Sequence, residues 1–175
     1  MGLRDTLKNN QGKAGADEQD YLEHLRLGKY RLELQTVVDG EYGDHKGAKA
    51  GMAYNITEWK VIEVLRKDSG DEHWQTGEPW ESNEAGTLAK VFIELQTNAK
   101  GYTTRGKNDL KRLKRVGAAV MSSDLGEPIA PQDLDDDQIA DWAESGDEYG
   151  GTQVILDLTQ GKNYTEIRAF AVSSD

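Results

Sequence analysis

The chain contains no cysteine, which removes disulfide frameworks, thiol nucleophiles and every cysteine-based zinc or iron-sulfur site. Its three histidines, His24, His45 and His73, stand in polar sequence without metal-ligand spacing. A Gly-Lys-Ser/Thr phosphate loop and a Gly-x-Ser-x-Gly elbow are both absent. The sequence therefore reads as non-catalytic, with no metal or cofactor expected. A nuclease built from Asp and Glu on separate strands would leave no local pattern, and magnesium-dependent cleavage of DNA is the observation that would reveal one. No apolar run approaches the roughly 18 residues of a spanning helix, and no apolar signal-peptide core follows Met1, so no membrane partner is expected. Three prolines against 19 glycines in 175 residues suit one globular domain with mobile extensions.

Charge is present but unevenly placed. There are 32 acidic and 21 basic residues, a formal net charge of -11. Ten of the acidic residues, and no Lys or Arg, fall between Asp124 and Tyr149, which leaves the remainder nearly neutral with 22 acidic against 21 basic. Just before that acidic insert, Arg105, Lys107, Lys111, Arg112, Lys114 and Arg115 form a basic island. Local potential, rather than net charge, is what attracts phosphates. The plainer reading of the island is a solvated helix face, because Leu110, Leu113, Val116 and Val120 recur between the charges at helical spacing. Asp109 is the candidate cap.

The periodicity predicts the elements. Residues 1 to 16 read as a flexible arm and Asp17 to Leu27 as a short helix ended by Gly28. Tyr30, Leu32 and Leu34 alternate with Arg31, Glu33 and Gln35 as in a half-buried strand. Met52 to Arg66 is a second, long strand in which Tyr54 and Ile56 share one parity, while Trp59 and Val61 share the other, a switch that predicts a bulge near Thr57-Glu58. Lys67 to Gly86 reads as a long hairpin loop. Leu88 to Gln96 is the third strand and the basic segment the helix after it. Asp135 to Glu144 is a short acid-capped helix, followed by strands around Val154 to Leu158 and Tyr164 to Val172. Residues 28 to 172 thus make one domain with an acidic insert at 124 to 149, a preceding arm and a three-residue tail.

Three strands, a helix and two strands is the plan of the OB-fold, so the expected class is mainly β with helices, a five-stranded barrel of order β-β-β-α-β-β. Gly28 to Leu34, the stretch from Tyr54 to Val64, Gly77 to Trp80, Asn108-Asp109-Leu110-Lys111, Gly151 to Leu158 and Gly161 to Phe170 together resemble phage-encoded single-stranded DNA-binding proteins. The resemblance implies binding of single-stranded DNA without strong sequence preference during phage replication or recombination. It also implies the cytoplasm of an infected bacterium, contacts with replication or recombination proteins, and a homo-oligomer as one possible state.

Such binding needs flat rings for bases and cations for phosphates. The candidate stackers are Trp59, Phe92, Trp74, Trp80 and Tyr102; the candidate phosphate contacts are Arg31, Lys60, Lys90, Lys100, Arg105, Lys107 and Arg168. Each has an ordinary alternative. Trp59 sits in an apolar alternation that suits a core residue. Phe92 has the parity opposite to Val91, Ile93 and Leu95, which suits either an exposed ring or a contact beneath a helix. Trp74 and Trp80 lie in polar sequence as loop anchors or contacts, and an alternative function uses that loop as the docking site of a protein-interaction or structural module. The acidic insert reads as a helix cap with solvated charge, in preference to a calcium loop, since Gln138 stands where the sharp turn needs glycine.

Overall fold

The alternation of apolar and polar residues builds one curled layer, and two helices cover one side of it. The computed structural model describes residues 22–72, 77–162 and 164–172. In chain order its strands are β1 (Glu23–His24), β2 (Gly28–Glu41), β3 (Ala53–Lys67), β4 (Ser69–Gly70), β5 (Trp80–Glu81), β6 (Leu88–Glu94), β7 (Thr97–Asn98), β8 (Gly101–Tyr102), β9 (Gln153–Gln160) and β10 (Thr165–Ala171). Helix α1 (Thr104–Leu125) and helix α2 (Asp136–Ser145) lie between β8 and β9. Six strands form the main sheet in the order β1-β6-β3-β2-β9-β10. Every neighbouring pair is antiparallel except β1 and β6. The protein is therefore mixed α/β, an open six-stranded sheet with two helices. Its five long strands and α1 follow the expected chain order.

Odd and even positions separate cleanly. Tyr30, Leu32 and Leu34 of β2, Trp59 and Val61 of β3, Val91 and Ile93 of β6, and Val154, Leu156 and Leu158 of β9 are buried on the inner face. They pack with Leu113, Val116 and Val120 of α1 and with Ile139 and Trp142 of α2. A Cβ at Gly117 would stand 2.8 Å from Trp142 Cδ1, so glycine there lets the two helices close. Thr103, not Asp109, caps α1: its Oγ1 accepts the Gly106 N–H at 3.1 Å. Asp109 lies inside the helix and is buried. Helix α2 has the expected acidic start, a capping box between Asp135 and Gln138, with Asp136, Asp137, Asp141 and Glu144 all exposed.

The expected barrel does not close. Among the described residues β6 and β10 do not pair, and α1 supplies the polar partners that each edge lacks. Arg112 Nη2 donates to the Thr165 carbonyl, and Arg115 Nη1 donates to the Ile167 carbonyl at 3.0 Å. On the opposite edge, Asp109 Oδ2 accepts the Glu94 N–H at 2.8 Å. Edge groups that are already satisfied have no need of a further strand. Part of the β6 edge is taken by the segment before β2, where Leu25 N donates to Lys90 O at 2.9 Å. Residues 22–27 are consequently extended where a helix was expected, while Asp17 to Tyr21 lie outside the described residues.

The predicted phase change at Thr57-Glu58 is also absent. Pairing of β3 with β6 runs unbroken from Tyr54–Glu94 to Lys60–Leu88. The irregularities are in the β2–β3 pairing, which skips Leu65 and Ile62 of β3 and, opposite Glu58 and Trp59, Gln35 of β2, so the bulge near the predicted place belongs to the partner strand. Since β3 runs straight from Tyr54 to Val61, Tyr54 and Ile56 must point to the face opposite Trp59. That outer face carries no α-helix among the described residues.

Candidate nucleic-acid interface

Three aromatic rings stand in a row at one end of the outer face. Tyr54 and Phe92 have ring centroids 6.2 Å apart at an interplanar angle of 23°. Tyr42, just beyond β2, lies 5.1 Å from Tyr54 and is tilted by 35°. All three are half-buried. Register makes the row: Phe92 sits diagonally from Tyr54 across β3 and β6, and Gly40 is directly opposite Tyr54 on β2. A Cβ at Gly40 would lie 2.5 Å from Tyr54 Oη, so the missing side chain is what leaves room for the ring.

The loop of residues 42–52 is strapped to the end of this row. Tyr42 Oη donates to Glu94 Oε2 at 2.8 Å, and Lys49 Nζ lies 3.3 Å from the same oxygen. Lys49 Nζ is also 5.6 Å from the centre of the Tyr42 ring. Glu94 is 1% exposed, so the buried carboxylate holds two groups from one loop. Burial and the hydrogen bond to Glu94 push the Tyr42 phenol up to about 12.

Lys49, beside the Tyr42 ring, is paired with Glu94, and across the strands Glu33 faces Lys60 and Glu58 faces Lys90. Among the described residues, ion pairs engage Arg26, Lys49, Arg66, Lys67 and Arg112. Arg31, Lys60, Lys90, Lys100, Arg105, Lys107 and Arg168 take part in none. Lys60 and Lys90 project on the same face as Phe92, Lys60 exposed and Lys90 half-buried. Lys100 occupies the β7–β8 turn, Tyr102 is 44% exposed on β8, and Arg105 and Lys107 are exposed at the start of α1. Arg105 is near enough to the Tyr42 phenol to act on it electrostatically. Of the predicted residues, Lys90 and Phe92 lie on β6 and Lys60 at the end of the β3–β6 pairing away from Tyr54, whereas Lys100 and Tyr102 belong to the β7–β8 hairpin and Arg105 and Lys107 to the start of α1. Arg31, opposite Ile155 and Glu63, and Arg168, opposite Asp157, belong to the other half of the outer face.

Other expectations are corrected. Trp59 is 0% exposed, lies between Leu34 and Ala89 in the sheet, and donates from Nε1 to Thr57 Oγ1 at 2.7 Å, which makes it core and not a base platform. Trp80 is half-buried with its indole laid against Gly70 of β4, the packing of a loop anchor, and it also lines a cleft with Arg26 and Glu72. Trp74 lies outside the described residues. The basic island divides in two, because Arg112 and Arg115 are half-buried and committed to β10 while Lys111 is exposed. Burial lowers the Arg112 pKa. Sequence reading missed Tyr42 and Tyr54 as site residues. The available signal was that β3 keeps its parity: without an assumed bulge, Tyr54 and Ile56 fall with Lys60 on the outer face.

No family model, curated protein or solved structure matches the chain. Among the described residues no helix is long and apolar enough to cross a membrane.

Proposed function

We propose that the chain binds single-stranded DNA without strong sequence preference, through the outer face of β3 and β6, and protects it during phage replication or recombination. The observation that carries this reading is the row of half-buried rings Tyr42–Tyr54–Phe92 on a sheet face that carries no α-helix among the described residues. Bases stack on half-exposed rings at about 1–3 kcal/mol each, and sequence is not read because every base has a π-face. Lys60, Lys90, Arg105 and Lys107 neutralise the phosphates that run alongside. The order of the long strands supports the same reading. Taken in chain order they lie third, second, first, fourth, fifth, which we interpret as an OB-fold opened between its third and fifth strands. On OB-folds the second and third strands form the nucleic-acid face, and here those are β3 and β6. The acidic exposed side of α2 lies with the helices, on the other side of the sheet.

Fluorescence anisotropy of a labelled oligo-dT at several salt concentrations tests the proposal. Four neutralised phosphates predict a slope of log affinity on log salt of about -3. Absence of binding, or binding indifferent to salt, overturns it.

A further inference from the structure

A cleft of about 550 Å³ opens at the seam where the sheet fails to close, lined by Thr104, Arg105, Asn108, Arg112, Tyr164 and Thr165. Its size lies within the range of small-molecule sites, roughly 300–1,000 Å³. Its walls come from the first turns of α1 and from the turn leading into β10. The Arg112 guanidinium lies 5.5 Å from the centre of the Tyr164 ring and so holds that ring in place. Asp109, the one acidic residue of the lining, is neutralised by Arg112 Nη1 at 2.9 Å. Arg105 acts electrostatically on Asp109 but makes no ion pair among the described residues, so its guanidinium remains open to a ligand. It also acts on the Tyr42 phenol, so it stands at the junction of the aromatic row and the cleft.

The seam is shut behind the cleft. Arg112 and Arg115 bond α1 to the carbonyls of Thr165 and Ile167, and a chain entering over Arg105 has no way onward between helix and strand. An internal nucleotide has to leave a site as well as enter it; a terminal one does not. A terminal phosphate monoester also carries about -1.5 to -2 charges near neutrality, more than the single charge of a phosphodiester.

We propose that this cleft seats the end of a bound strand, its terminal phosphate monoester on Arg105 and its last base between Tyr164 and Asn108. The inference rests on the single-stranded DNA reading and adds to it a preference for phosphorylated ends. Asn108 supplies both a donor and an acceptor to a base edge, and Tyr164 a ring.

The test uses the full chain and four oligo-dT ligands of equal length: 5′-phosphorylated, 3′-phosphorylated, unphosphorylated, and covalently closed into a circle. One phosphorylated end is expected to bind about tenfold more tightly than the circle, the worth of one further charge-assisted contact. Asn108→Ala, a substitution that favours the helix, and Tyr164→Ala should each erase that difference without weakening the circle. Tyr54→Ala should weaken all four. Equal affinity for the four ligands overturns the inference while leaving strand binding intact, as does an Asn108→Ala loss shared by the circle. Binding of a phosphorylated end without binding of the circle keeps the cleft and removes the outer-face reading. If no ligand binds, both fall.

Discussion

The inner and outer faces of this sheet are written by the same strands, one residue apart, and they use aromatic side chains for opposite purposes. On β3, Trp59 is closed over by the core and satisfies its indole N–H within the same strand. On β3 and β6, Tyr54 and Phe92 keep part of each ring open and pack against one another. Parity assigns the face, and the presence or absence of a helix over that face assigns the role. Trp59→Ala should produce the largest effect of the substitutions considered, a loss of about 3–5 kcal/mol of stability from the vacated volume. Chemical denaturation measures it, and a midpoint close to wild type would show that the two faces are not distinguished in this way.

Phe92→Ala sharpens the same contrast from the other side. Its expected cost falls on strand affinity, about 1–3 kcal/mol or roughly five- to 150-fold, with a smaller change in stability than Trp59→Ala produces. Paired denaturation and anisotropy measurements decide it. If Phe92→Ala unfolds the protein as readily as Trp59→Ala and leaves oligonucleotide binding untouched, the outer row is only a second packing layer.

Helix α1 repeats the contrast along its own length. Its first turn exposes Arg105 and Lys107, whereas Arg115, two turns on, is spent on the Ile167 carbonyl. Arg115→Met keeps most of the apolar stem and strips the guanidinium, so it should cost about 1–3 kcal/mol of stability by leaving a strand-edge carbonyl without its partner. Arg105→Ala should leave the denaturation midpoint within about 0.5 kcal/mol and instead reduce the salt slope of DNA binding by about 0.7. An exchange of these two phenotypes would mean that the division of the basic island is drawn in the wrong place.

Much of the frame could be read from the sequence because it rests on local periodicity. The long strands, α1 and the capped α2 fall close to where their apolar spacing puts them. Closure was not legible, since it depends on which group reaches a distant edge first: Arg112, Arg115 and Asp109 look like an ordinary charged face until β6 and β10 are in place around them. Leu25 is similar, drawn into an extended segment by the Lys90 carbonyl against its helical context. The candidate site was half visible. Phe92, Lys60 and Lys90 follow from parity alone, but Tyr54 and Ile56 as apolar outward residues look like a shift in strand phase. A strand with one apolar face cannot be told from one with apolar residues on both faces until its neighbours are known.

The smallest predicted effect is silent at neutral pH and concerns Tyr42, where the two environments meet in one side chain. Its ring belongs to the outer row, and its hydroxyl belongs to the buried carboxylate of Glu94. Burial and that hydrogen bond raise the phenol from its ordinary 10 to about 12 in the folded protein. Between those values the unfolded chain releases the proton and the folded chain retains it. Stability from this group is therefore complete below pH 10 and is lost as pH rises through about 12. Phenolate absorbance should show a tyrosine titrating near pH 12 that disappears in Tyr42→Phe, while Tyr30, also raised by burial, stays high in both. Because Tyr42→Phe preserves the π-face, DNA affinity at neutral pH should change by less than about twofold. A large loss of affinity with an unaltered alkaline titration would place the Tyr42 hydroxyl on the ligand and not on Glu94.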